Sequence, residues 1–219
     1  MHARALRKIV VATVIAVAGT CAVAIQACAK GTQVSYGWRV TVYHTAVESF
    51  HHGPLQAIEG CLDPDCSAGQ TAIGNYPADF NRAVMEEGAG RITSGSQAGM
   101  YLNWSYDVGY WLDTIPSDSR GRPLIPYSTA AADPNVLPYG AQVRLLSCGV
   151  DSVDGTVPDS AVCTKLRSVT WTVRDRFTPG LGGAKHLDLY IGEEDQPDFE
   201  HTSPKVIDVR GVTLVRLSQ

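Results

Sequence analysis

The chain has no Gly-x-Ser-x-Gly elbow, no glycine-rich phosphate loop and no zinc-protease signature. Those absences remove the commonest hydrolase readings and the usual nucleotide-binding ones. Cys-x-x-Cys spacing with histidine partners is missing as well, so the six cysteines do not read as a zinc site. No metal and no cofactor is expected. Internal repeats and low-complexity segments are absent. Positive charge is scarce: beyond residue 29, 15 Lys and Arg stand against 22 Asp and Glu. Nucleic-acid binders carry basic faces, so that balance argues against such a partner and suits neutral or weakly charged ligands such as glycans.

What is present points to one exported domain. The 219 residues are 44% hydrophobic and 18% charged, enough apolar content for a packed core. With 21 Gly and 12 Pro between short apolar runs, the pattern favours an all-β domain rich in turns. The first 29 residues read as a secretory signal. Arg4, Arg7 and Lys8 form a basic end, Ile9 to Ile25 is an uncharged apolar run, and small residues follow. Ala27-Cys28-Ala29 fits a small-x-small cleavage site. Ile25-Gln26-Ala27-Cys28 also fits a lipobox, in which Cys28 takes a lipid and tethers the domain to a membrane face. A retained anchor is the third reading, with an apolar run at the short limit for spanning. The domain expected from residues 30–219 is extracytoplasmic and monomeric.

Four cysteines remain beyond the signal. Four allow three pairings, and the local one is favoured because each pair flanks a turn-like stretch: Cys61 with Cys66, and Cys148 with Cys163. Trp38 to Thr45 alternates β-branched and aromatic residues and predicts a strand. His44, His51 and His52 follow in a loop-like stretch and read as solvated or hydrogen-bonded rather than metal-binding. Residues 53–75 read as loop. Pro77 to Glu87 predicts a short helix with Asp79 as N-cap and Gly88 as its stop. Further strands are expected at 91–93, 143–146, 168–173, 186–191 and 212–217, and 117–123 reads as a polar connector. Tyr101, Trp104, Tyr106, Tyr110 and Trp111 crowd within eleven residues. They build a β core or stack on sugar faces; Trp104 and Trp111 are the candidates for substrate contact.

Three aspartates stand in runs where aspartate is depleted. Asp133 begins Asp-Pro-Asn-Val-Leu-Pro-Tyr-Gly, Asp175 ends a short apolar run, and Asp188 lies within His-Leu-Asp-Leu-Tyr. Alternation puts His186, Asp188 and Tyr190 on one face and Leu187 and Leu189 on the other. With the leucines in the core, Asp188 points into a groove. Structural readings exist for all three: a turn at Asp133, pairing of Asp175 with a neighbouring arginine, and a solvated Asp188.

The stretch AAADPNVLPYGAQVRL, followed by VRDRFTPGLGGAKHLDLYIG, resembles the 3D domain family, named for three aspartates and found in membrane-bound lytic transglycosylases of the A type. WRVTVYHTA is similar to that family's opening strand. The resemblance covers 38–45 and 122–217. Asp133, Pro134, Leu137, Pro138 and Gly140 match the first motif. The second departs: Arg176 to Gly183 replaces the family's Thr-Gly-Gly, and the gap from Asp175 to Asp188 is two residues longer. That stretch also resembles rare lipoprotein A, expansins and family-45 endoglucanases. The resemblance implies a six-stranded double-psi β-barrel with a loop-rich, partly helical insertion at about 46–121. It further implies cleavage of peptidoglycan glycan strands, with Asp188 as general acid and base and Asp175 and Asp133 supplying charge or orienting the sugar. Tyr43, Lys185 and His186 are the further substrate contacts expected. The expansin likeness implies the alternative, a glycan-binding module without chemistry; a structural domain that has lost its chemistry is a third.

Overall fold

Fifteen consecutive residues, Gln33–Val47, form strand β1, and this length lets one strand meet three others. β1 runs parallel to β11 (His186–Glu193), parallel to the short β4 (Ala89–Arg91) and antiparallel to β12 (Asp208–Arg216). The computed structural model describes residues 32–63, 65–66 and 68–218. The secretory signal over 1–29 and the lipid site at Cys28 lie outside the described residues.

Between β1 and β12 the chain lays down β2 (Leu55–Gly60), β3 (Thr71–Pro77), helix α1 (Ala78–Glu87), β5 (Tyr101–Ser105), β6 (Gly109–Asp113), β7 (Thr129–Ala132), β8 (Gln142–Leu145) and β9 (Val150–Asp151). Helix α2 (Ser160–Arg167), β10 (Trp171–Asp175) and the single turn α3 (Phe199–Thr202) complete it. Ten strands join one mixed sheet in the order β6-β5-β4-β1-β11-β7-β10-β8-β12-β9, with β1 also bonded to β12; β2 and β3 form a separate hairpin.

This corrects the expected six-stranded double-psi β-barrel. The chain forms one ten-stranded mixed sheet, and the segment taken for a loop-rich insertion supplies three of its strands, β4, β5 and β6. The expectation failed there because β4 is three residues long and its glycine and alanine carry no alternation to read. The hairpin β2–β3 occupies residues read as loop, since Gly60, Gly69 and Gly74 suggest turns. A side chain at any of the three would strike neighbouring atoms within 2.7 Å, so these glycines serve close packing instead.

Alternation explains the main core. Val40, Leu187, Leu189, Trp171, Val173 and Val212 are fully buried on one side of their strands. A second cluster forms where Phe80 and Val84 of α1 pack on Ile92, Leu102 and Leu112. α1 begins one residue later than expected, with Pro77 rather than Asp79 as N-cap. Asp79 lies in the first turn, where its carboxylate accepts the backbone N–H groups of His52 (3.0 Å) and Gly53 (2.7 Å). Gly88 ends the helix in the left-handed conformation at φ 87°, which glycine adopts without strain. Disulfides join Cys61 to Cys66 and Cys148 to Cys163. Among the described residues no helix is long and apolar enough to cross a membrane.

Candidate active site

The register of four strands builds the site. Thr41 of β1 stands beside Asp188 of β11, Asp188 beside Ala131 of β7, and Ala131 beside Asp175 of β10. Thr41, Asp188, Ala131 and Asp175 thus form one row across the sheet. Strands lie about 4.8 Å apart, so the α-carbons of the two aspartates are separated by roughly 10 Å. Ala131 is the strand residue between them. Above the row lies an open cleft of about 330 Å³, lined by Asp188, Asp175 and Ala131 together with Tyr43, Trp104, Tyr106, Phe177, His186 and the last turn of α1.

Asp188 lies at the floor of this cleft, opposite the buried Leu187 and Leu189. Its surroundings are almost entirely protein, while its residual surface opens to the cleft. Thr41 Oγ1 donates to its Oδ1 at 2.7 Å. Burial raises its pKa to about 7; the Thr41 hydrogen bond works against that rise, and the charges of Glu87 and Asp175 add to it. Near neutral pH Asp188 therefore exchanges a proton readily, as a general acid must.

Asp175 is held differently. Its Oδ1 accepts the Ser119 hydroxyl (2.8 Å), the Ser119 backbone N–H (3.2 Å) and the Arg176 backbone N–H (2.8 Å). The Tyr43 hydroxyl donates to Oδ2 at 3.4 Å. Burial raises the Asp175 pKa, and the donors from Arg176 and Ser119 pull it back. With its oxygens committed to protein donors, Asp175 is an oriented, fixed group. Burial also lifts the Tyr43 phenol well above its ordinary value, so Tyr43 stays a donor.

The loop delivering Ser119 is itself locked. Asp118 is 1% exposed and accepts the backbone N–H groups of Arg120 (2.9 Å) and Arg122 (3.0 Å) and the Arg122 guanidinium (2.9 Å). Arg122 also reaches the Arg174 carbonyl, one residue before Asp175. The stretch read as a plain connector therefore fixes a carboxylate of the site. The signal was there: Asp118 and Arg122 stand four apart in a turn sequence, with Ser119 between them.

His186 stacks on Phe177 at 4.4 Å between ring centroids, and its Nε2 lies 3.0 Å from Thr41 Oγ1. Burial, then the nearby Arg39 charge, lowers its pKa, which keeps the ring neutral at neutral pH. Alternation is the only mark of Thr41 in the sequence: Arg39, Thr41 and Tyr43 alternate with Val40 and Val42 along β1 and so share a face.

The other expected site residues fall apart. Trp104 lines the cleft. Trp111 is 2% exposed and belongs to the interior. Lys185 is exposed, and its ammonium donates to the Tyr36 carbonyl at 2.8 Å, away from the cleft. Asp133 is not brought to the two other aspartates. It lines an adjoining cavity of about 400 Å³ with Pro134 and residues 176–180, and its carboxylate accepts the Asn135 N–H at 2.8 Å as a turn former does. Tyr106, Arg176, Phe177 and Thr178 line both spaces, so the second continues the first.

No family model matches the chain, and no curated protein does. The resemblance to the 3D domain family is corrected accordingly: what stands is a likeness of fold. Escherichia coli MltA, a lytic transglycosylase solved with bound chitohexaose, superposes with a TM-score of 0.54 at 12% identity. The match covers 83% of this chain and 72% of that one. A membrane-bound lytic murein transglycosylase from Agrobacterium tumefaciens gives 0.50 at 10% identity, over 83% of this chain and 74% of that one. The chain is thus similar in fold to membrane-bound lytic transglycosylases of known structure.

Proposed function

We propose that the protein is an exported enzyme that cuts the glycan strands of peptidoglycan by a lytic, single-acid route. The observation carrying this reading is the inequality of the two carboxyl groups: Asp188 opens to the cleft and is poised near pH 7, while Asp175 accepts three protein donors on Oδ1 and the Tyr43 hydroxyl on Oδ2. Hydrolysis by two carboxylates needs a second free group as base or nucleophile. A lytic cut needs one. Asp188 gives its proton to the glycosidic oxygen as the bond from that oxygen to C1 breaks, and the electron pair leaves with the oxygen. The sugar's own C6 hydroxyl then closes on C1 and returns its proton to Asp188. No water is consumed, and a 1,6-anhydro sugar results. Tyr43 and Asp175 fix one wall, while Trp104, Tyr106 and Phe177 bring aromatic rings to the cleft in which the sugars would lie.

The fold supports this reading, since its solved neighbours are lytic transglycosylases and one holds a chitooligosaccharide. The basic and apolar start of the sequence supports export. The test is release of soluble fragments from purified peptidoglycan, with mass spectrometry for 1,6-anhydro ends. Asp188→Asn is expected to lower release by at least about 100-fold. Release at the wild-type rate by that variant would overturn the assignment. Binding of insoluble peptidoglycan without any soluble product would favour the expansin-like binding module instead.

A further inference from the structure

Helix α1 ends in a way that its own chemistry disfavours. Its last two residues are Glu86 and Glu87, and no basic residue lies in its last turn. The carboxyl end of a helix already carries about half a negative charge, so acidic residues there cost stability and cations are the usual choice. This turn is not turned to open solvent alone: Met85 to Gly88 line the same cleft as Asp188. Glu87 is also held in place. Its Oε2 accepts the His44 backbone N–H at 2.9 Å and lies 3.2 Å from His44 Nδ1. Local rules broken at a cleft mark a functional demand.

We infer that Glu87, backed by the end of α1, is the electrostatic partner of Asp188: it places negative potential across the cleft, holding the proton on Asp188 and stabilising the positive charge that develops at the sugar's C1. The second role rests on the glycan-cleavage reading; the first does not. The chemistry fits both, because a glycosyl transition state is cation-like and a carboxylate facing it across the cleft adds to the charge that Asp188 itself acquires on giving up its proton. Burial is the larger cause of the raised Asp188 pKa, but among the charges that raise it Glu87 precedes Asp175.

The surroundings set the sign. Around Asp188 stand Thr41, Tyr43 and Arg39 on β1, Asp175 on β10, His186 on its own strand and Glu87 on α1. Glu87 faces His44, whose pKa is raised: burial lowers it, and the Glu87 hydrogen bond and the Glu87, Glu194 and Glu200 charges more than offset that. A protonated His44 would partly neutralise Glu87, so its influence on Asp188 grows as His44 loses its proton.

The experiment is a carbon-13 NMR titration of the Asp188 side-chain carboxyl in the full chain and in Glu87→Gln, combined with kcat and KM on peptidoglycan fragments. The expected result is an Asp188 pKa lower by about one unit, kcat lower by roughly 10-fold or more, and little change in KM. Glu87→Asp is expected to recover part of both. An unmoved titration overturns the inference. A moved titration with unchanged kcat overturns its transition-state half. Should Glu87→Gln fail to fold, Glu87→Asp carries the test: it draws the charge back by one methylene, a smaller fall is expected, and no fall overturns the inference. The titration needs no substrate, so its outcome stands apart from failure of Asp188→Asn to abolish cleavage.

Discussion

Thr41 holds the Asp188 pKa below the value that burial alone would give. Its hydroxyl donates to the carboxylate at 2.7 Å, which favours the charged form. Thr41→Val removes that donor and keeps the shape. A hydrogen bond to a charged group is worth about 1.5–3 kcal/mol, so the alkaline limb of the activity profile should move up by about one to two pH units. Activity against pH from 5 to 9 reads this shift, and a limb that stays put or moves down refutes the role given to Thr41. Ser119 works on the other carboxyl group. Ser119→Ala removes the 2.8 Å hydroxyl donor to Asp175 and should cost about 1–2 kcal/mol of stability in urea unfolding. Asp188 could be singled out from sequence because alternation turns a carboxylate between two core leucines away from the core, within a stretch that resembles a known motif. Thr41 and Ser119 could not, since a threonine in a strand and a serine in a turn are each unremarkable until the residue opposite is known.

Elements with strong alternation were legible and elements made by context were not. β11 and the heart of β1 follow from their period-two patterns, and α1 from its apolar face and Gly88. The short β4 and the β2–β3 hairpin have no such pattern; they exist because neighbouring strands offer hydrogen bonds and because glycines let backbones approach. The same dependence appears at Cys148, whose disulfide ties the end of β8 to α2. Closing a loop of this length is worth about 3 kcal/mol in the entropy model, and Cys148→Ala with Cys163→Ala should lower stability by that order. Gly149 beside it has φ 62°, and a β-carbon there would lie 2.0 Å from the Arg210 carbonyl oxygen. Gly149→Ala is therefore expected to separate β9 from β12, visible as lost amide protection at Val150 and Ser152.

For the whole molecule, the raised Asp188 pKa becomes a dependence of stability on pH. A carboxyl that titrates near 4 in the unfolded chain and at about 7 when folded binds its proton more tightly in the native state. Its contribution to stability is full below the unfolded value and is lost as pH rises through the folded one. Asp188→Asn abolishes this term. The variant should gain on the wild type between about pH 5 and 8, with a melting temperature several degrees higher at the upper end. Parallel melting curves across that range would count against the burial argument. The same comparison shows activity and stability in opposition at one residue, as expected where a buried acid is kept for chemistry.

The row of Thr41, Ala131, Asp175 and Asp188 draws on four strands whose members lie up to 147 positions apart along the chain. No partial structure built from neighbouring segments contains it. Contacts of such span close late and together in folding. A newly made or unfolded chain therefore carries the aspartates but no acid of the right strength, because nothing yet buries Asp188. The protein acquires its reactivity and its native shape in the same step, so the fold itself acts as the safety catch.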